Sequence, residues 1–516
     1  MNKKLLILIF ALATIITPAI AQDAVVKQII SAGQTDNQVM NHLDVLSNRF
    51  GGRLVGSDAY ENAAEWVAHK FKSWGLEVEL HEAGTMPVGF NRGPWFGRML
   101  GGEQAMNLHF VTPSYSSGTK GLQRGHVVME PRSRDELERM RGALKGAWVL
   151  ITGTSDGFSI DHSAQGDTFR SLMIEANNNM RQKNAEITRK NAENKTNDSL
   201  IKLPELPPAL FLKEMREAGI LGIIQSAPVP LVALYDRSVV RNPNMTFDSL
   251  PEIPDIKLDE HQYAKIKQMV MERRVFELEF DIRNHFKMGP IKYYSVIGKL
   301  RGTKYPDEYV MMSAHLDAFD SATGGVDCGS GMSSIIEAAR LVSQTGKKPK
   351  RTMLFVAFAA EEFGLLGATA WTKTYADKLD KISYLFNRDG GPLPPVAITV
   401  SEAMYKDFTQ ICEPVKLINP EFPFEVKKGG PFNKPVRPSG TDASVFAING
   451  VPANSLEERD VKGYNFNYRE IWHTERDLYT KSIPEYQRHA ATVIAVVGWG
   501  VANLDHQLSR EGYFKE

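Results

Sequence analysis

The chain has 516 residues, 42% of them apolar, and its 61 Lys+Arg balance 61 Asp+Glu. No net field favours nucleic acid or an anionic membrane, and the length leaves room for two or three domains around a sizeable core. Two cysteines, Cys328 and Cys412, exclude a disulfide scaffold and leave one pairing open.

Met1 to Ala21 reads as an export signal. Lys3-Lys4 is the basic start, Leu5 to Ile16 the apolar core, and Ala19-Ile20-Ala21 a small-x-small cleavage site. No Cys follows that site, and no later run of eighteen apolar residues suits a membrane span. The expectation is a soluble, exported protein, periplasmic or secreted after cleavage near Ala21. From Tyr60 to Trp74, Ala63, Ala64, Val67, Phe71 and Trp74 recur at helical spacing, and Gly75 ends the run. Glu77 to His81 alternates like a strand. Met86 to Gly125 is rich in Gly, Pro and aromatics and reads as loop and connection.

Gly146 to Ile151 is a buried-strand run. Leu212 to Ala218 is helical, stops at Gly219 and leads into the apolar Ile220 to Ile224. Between them, the polar stretch Ala176 to Asn197 reads as an exposed helix or loop. Gly153-Thr154-Ser155-Asp156-Gly157 matches the GxSxG elbow of serine hydrolases, but Phe158 to His162 lacks the helical period that an elbow opens.

The densest chemistry lies between Ser313 and Gly391. The strand-like runs Tyr309–Met312, Thr352–Phe358 and Ser383–Phe386 are followed by His315-Leu316-Asp317, Glu361-Glu362 and Asp389-Gly390-Gly391. Val326-Asp327-Cys328-Gly329 precedes a helix-like segment, Ser333 to Val342. Apolar runs alternating with helices read as buried parallel strands with crossovers, whose ligands bind beyond the strands' carboxyl ends. Imidazole mixed with carboxylates suits zinc. A second histidine, His473 in His473-Thr474-Glu475-Arg476-Asp477, completes a plausible ligand set. The other ten histidines lack a nearby carboxylate pattern and read as structural. Downstream come a strand at Ala397–Val400, a Pro-rich loop from Pro431 to Ser439 and a helix capped by Thr441 or Asp442. A final amphipathic helix runs from Ile483 to Val501.

The ordered clusters HxD, DxG, EE, DGG and HTxxD resemble the co-catalytic di-zinc exopeptidases, a family of zinc aminopeptidases, glutamate carboxypeptidases and carboxypeptidase Q. The twelve-residue step from His315 to Asp327 is most similar to the carboxypeptidase Q branch. The resemblance implies an α/β fold: a three-layer α/β/α peptidase domain with a mixed, mostly parallel sheet, over 22–115 and 291–516, and a protease-associated insert over 116–290. It implies two Zn²⁺, with Asp327 bridging, His315 and Asp389 on one ion and Glu362 and His473 on the other. Glu361 is then the general base. Asp317 takes the far N–H of His315, and the Asp327–Cys328 peptide bond is cis. The implied activity is hydrolysis of dipeptides or short peptides, with a zinc aminopeptidase as the alternative and a homodimer as the assembly. Tyr464 and Tyr468 are candidate oxyanion donors, and Cys328 is placed close to metal. A calcium-dependent binding protein is the non-enzyme reading, and two histidines in the ligand set speak against it.

Overall fold

A computed structural model describes residues 18–101, 105–160, 167–196, 198–203 and 211–515; the proposed export signal lies almost wholly outside them. The chain divides into two compact units. The first comprises Met1–Met86, Pro290–Trp472 and Arg476–Glu516, and the second Pro87–Gly289 with His473–Glu475.

The first unit is built on a six-stranded sheet. Its strands are β1 (Glu77–Met86), β2 (Ile291–Leu300), β3 (Tyr305–His315), β4 (Arg351–Phe358), β5 (Ile382–Asn387) and β6 (Ala453–Asn454), in the order β1-β2-β4-β3-β5-β6. β4, β3, β5 and β6 run parallel, and β1 and β2 pair antiparallel at one edge. All eight residues of β4 and all six of β5 are buried, as continuous apolar runs covered on both faces require.

Side chains alternate between the two faces. Met311, Leu354 and Val356 join Trp371 and Phe446 in one apolar cluster. On the other face, Met312 and Met353 meet Gly498 in the helix Pro484–Ala502, where an added Cβ would fall 2.9 Å from the Met312 sulfur. That helix packs on a second one, Gly329–Gln344. The result is the expected mixed, mostly parallel sheet between helical layers. The first predicted helix runs Asp58–Ser73, and Ser57 caps it by accepting the Tyr60 N–H at 3.1 Å.

The second unit holds a five-stranded sheet whose strands Val127–Met129, Trp148–Thr154, Gly222–Ala227 and Asp255–Asp259 are parallel. A four-stranded antiparallel sheet accompanies it. Trp148, Phe110 and Phe280 form its aromatic core. The expected loop from Met86 to Gly125 is corrected here. It contains five short strands, Gly89–Asn91, Trp95–Leu100, Met106–Asn107, Phe110–Val111 and Gln123–Gly125. Most of their partners lie more than a hundred residues away: Trp95–Leu100 pairs with Glu277–Ile282, and Phe110–Val111 with Asp255–Asp259. Pairing so distant leaves no local period to read. The polar segment from Ala176 falls in one long helix, Asp167–Asn194. Among the described residues, no helix is long and apolar enough to cross a membrane.

Candidate metal centre

His315 ends β3, and Asp389 follows β5 by two residues. Glu361 and Glu362 follow β4, and Asp327 precedes the helix Gly329–Gln344. The parallel strands therefore deliver these side chains to one end of the sheet. His315 Nε2 lies 3.2 Å from Asp327 Oδ1 and 3.2 Å from Asp389 Oδ1. Two donor groups share His315: with Asp327 and Glu362, and with Cys328 and Asp389, the donor atoms of each lying within 4.8 Å of one another. His315 itself is 1% exposed.

The other ring nitrogen fixes the tautomer. His315 Nδ1 lies 2.9 Å from the Asp317 main-chain carbonyl, which can only accept, so Nδ1 carries the proton and Nε2 is free to ligate. The sequence reading gave this duty to the Asp317 carboxylate, which stands 3.7 Å away. Its two oxygens instead accept the main-chain N–H groups of Glu361 and Glu362, each at 3.1 Å. A turn begins there. The N–H groups of Gly364 and Leu365 both reach the Glu361 carbonyl at 2.8 Å, and Ala360 adopts φ +55°. Asp317 thus holds the turn that aims both glutamates.

Asp477 plays a matching part. Its carboxylate accepts the Val326 N–H at 2.7 Å and the Asp327 N–H at 3.2 Å, and its carbonyl accepts those of Thr323 and Gly325 at 3.2 Å. It thus holds the loop that carries Asp327. The Asp327–Cys328 peptide bond is cis, as the resemblance implies.

The electrostatics call for a cation. Burial, then Asp327, pushes Glu362 well above the usual carboxylate range. Burial does the same to Asp442, which is fully enclosed with neither carboxylate oxygen hydrogen-bonded. Its neighbour Thr441 ends a chain of contacts from β3 and β5: Ser313 Oγ to Asn387 Oδ1 and Asn387 Nδ2 to Thr441 Oγ, each 2.7 Å. Asp442 stands at the helix start expected there, but its side chain makes no capping bond. Mixed imidazole and carboxylate donors around one buried histidine fit Zn²⁺ and are a poor match for calcium.

Cys328 is buried, and its thiol donates to the Arg388 carbonyl at 3.3 Å. Both cysteines are free, which removes the Cys328–Cys412 alternative. Burial raises the Tyr468 phenol far above its ordinary range, and Asp327 and Asp389 add to it. Its ring faces Gly390, where a Cβ would sit 3.8 Å away. Tyr464 is 54% exposed and gives its hydroxyl to Glu485 at 2.5 Å, so of the two tyrosines only Tyr468 neighbours the acids. His473 belongs to the stretch grouped with the second unit. There its carbonyl accepts the Ala233 N–H at 3.4 Å, and Thr474 bridges Val232.

Three histidines read as lacking carboxylates do have them. His42 is 3.1 Å from Glu337, His109 3.2 Å from Asp259 and His506 2.8 Å from Asp407, partners 99 to 295 residues away in the chain. The Ser155 elbow is not built: its hydroxyl accepts the Gly157 N–H at 3.0 Å, and turns, not a helix, follow to Ile160.

Comparison with known proteins bears on the same stretch. Residues 295–497 match the model of peptidase family M28. Carboxypeptidase Q of Rattus norvegicus is 28% identical over 307 residues, 56% of this chain and 60% of that protein. The chain thus spans about 60% of the length of that relative. Two solved structures share the fold over nearly the whole chain. A peptidase M28 precursor from Shewanella amazonensis SB2B has a TM-score of 0.58 at 20% identity, covering 95% of this chain and 98% of that one. A zinc aminopeptidase from Bacillus subtilis has a TM-score of 0.52 at 15% identity, covering 93% and 97%.

Proposed function

We propose that the chain, whose residues 295–497 match the model of peptidase family M28, is a metallopeptidase of the exopeptidase kind, cutting dipeptides or short peptides with two zinc ions. The observation that carries the proposal is the pair of donor groups meeting at His315. In this reading Asp327 would serve both ions, His315 and Asp389 would hold one, and Glu362 and His473 would hold the other. His473 rests on the order of the motifs. Zinc at such a site supplies Lewis acidity, making water nucleophilic near neutral pH and polarising the scissile carbonyl.

The protein's own groups do the rest. Glu361, set by the Asp317 carboxylate, takes a proton from the attacking water and returns it to the leaving amine. Tyr468 donates its hydroxyl hydrogen to the carbonyl oxygen as negative charge develops there. The raised Tyr468 pKa supports this role, because the phenol stays protonated at working pH. The Pro87–Gly289 unit is read as a protease-associated insert, and the apolar start of the chain as an export signal.

A panel of dipeptides with free, N-blocked and C-blocked ends, assayed with and without a chelator, tests this. Chelator-sensitive cleavage that requires a free C-terminus is the expected result. A requirement for a free N-terminus would make the protein an aminopeptidase. Cleavage indifferent to the chelator would overturn the zinc reading.

A further inference from the structure

Arg53 is among the largest wholly buried side chains in the protein, with 0% exposure. A buried charge is ordinarily paired. Among the described residues, no carboxylate forms an ion pair with this one; its partners are main-chain carbonyls. Nε donates to Leu316 at 2.9 Å. Nη1 faces Leu46 and Gly51 at 2.9 Å and Thr323 at 3.1 Å. Nη2 donates to Gly324 at 3.1 Å.

Those acceptors are not scattered. Leu316 lies between His315 and Asp317. Thr323 and Gly324 lie in the loop that Asp477 holds from its N–H side and that ends at Asp327. One planar guanidinium therefore ties the loop after β3, at both of its ends, to the segment Leu46–Gly51. The main chain repeats the link, for the Ala318 N–H donates to the Arg53 carbonyl at 3.3 Å. Space is tight on the guanidinium side: a Cβ on Gly324 would fall 3.0 Å from Nη2.

The electrostatics agree with the geometry. Burial pushes Arg53 down to about 10, so it stays cationic at neutral pH, and Asp477 and Asp317 are among the negative groups that hold it up. A cation without a direct carboxylate partner is tolerated because the acids of the metal centre stand near it.

We propose that Arg53 is a positioning residue for the metal centre: it holds His315 and Asp327 at ligating distance by fastening both ends of the loop between them. The proposal rests on the zinc reading above. Lysine keeps the charge but offers donors from a single point, which cannot reach Leu316, Leu46 and Gly324 together. Glutamine keeps a planar donor but loses the charge and the reach.

The test measures zinc retention in Arg53→Lys and Arg53→Gln by competition with a chromogenic chelator, beside urea unfolding of the metal-free proteins. Replacing groups that orient metal ligands typically weakens metal binding about 10- to 100-fold, and a loss of that size is expected in both variants. The metal-free urea midpoint of Arg53→Lys should fall as well, because buried carbonyls lose their donors, so zinc affinity is read on the folded fraction. With peptide substrate, kcat should fall and KM should stay put. Wild-type zinc affinity in either folded variant would overturn the proposal. So would a variant that loses stability only and binds zinc normally in its folded fraction. If the wild-type protein takes up no zinc, the metal reading itself fails, which is a different outcome from wild-type and variant binding alike.

Discussion

Replacing Asp317 by Asn separates two accounts of that carboxylate. If its duty were to accept the N–H of His315, Asn would serve nearly as well, since an amide oxygen also accepts. The structure assigns both carboxylate oxygens elsewhere, to the N–H groups of Glu361 and Glu362 at 3.1 Å. Asn has one oxygen, so one of those N–H groups must then face an NH₂. Losing a hydrogen bond to a charged acceptor costs about 1.5–3 kcal/mol, and leaving a buried donor unmet adds about 1–3. Against this, Asp317 is among the charges that push Glu362 up, and removing it returns part of that cost. The net expectation is a loss of about 2 kcal/mol or more. Urea unfolding of chelator-treated wild type and Asp317→Asn measures it without metal in the balance. Turnover should fall about 100-fold or more, because a displacement near 1 Å of the reacting groups is enough for that. A metal-free stability within about 0.5 kcal/mol of wild type would refute the assignment.

Glu361→Gln should keep wild-type zinc content while losing most turnover, since the amide keeps the turn and cannot take a proton; metal analysis beside kcat checks it, and a normal kcat would refute the base. Burial pushes His489 down to about 4; neither ring nitrogen is hydrogen-bonded, and the nearby Pro395 backbone only partly offsets the effect. This histidine is neutral when folded, so its stability contribution is complete above the unfolded pKa of about 6.5 and is lost as pH falls toward 4. Wild type should therefore lose about 2.5 kcal/mol more than His489→Leu between about pH 7.5 and pH 4.5, read from urea midpoints.

The peptidase-like half was legible because its signals are local. Continuous apolar runs gave β3, β4 and β5, and the acids stood within a few residues of their ends. What decides the duty of each acid was not local. Asp317 and Asp327 look alike as text, each a lone acid beside small and apolar residues. Only the path of the chain at Glu361 gives Asp317 two N–H groups to accept. Arg53 carried no signal, because a lone Arg between glycine-rich and apolar residues reads as surface. Its acceptors are carbonyls, which every residue has. Ser439 to Asp442 did signal a helix start, and a helix does begin there, but the burial of Asp442 needed the fold. Most of the strands between Met86 and Gly125 needed partners that the chain supplies only from Asp255 onward.

A physical reason links three charged residues around the site. Where parallel strands end, ladder hydrogen bonds stop, and the loops that follow carry N–H and C=O groups with no neighbouring strand. Here those loops are buried, so water cannot serve them. Charged side chains do so instead: Asp317 takes the N–H groups of the Glu361 turn, Asp477 those of the Asp327 loop, and Arg53 the carbonyls of the same loop. Each acid engaged this way has its lone pairs aimed at the main chain. Asp327 and Asp389 instead point an oxygen at His315 Nε2 from 3.2 Å. An acid-rich motif at a strand end therefore mixes two populations, those that hold the backbone and those that face the ligand. The number of main-chain N–H groups each carboxylate accepts separates them.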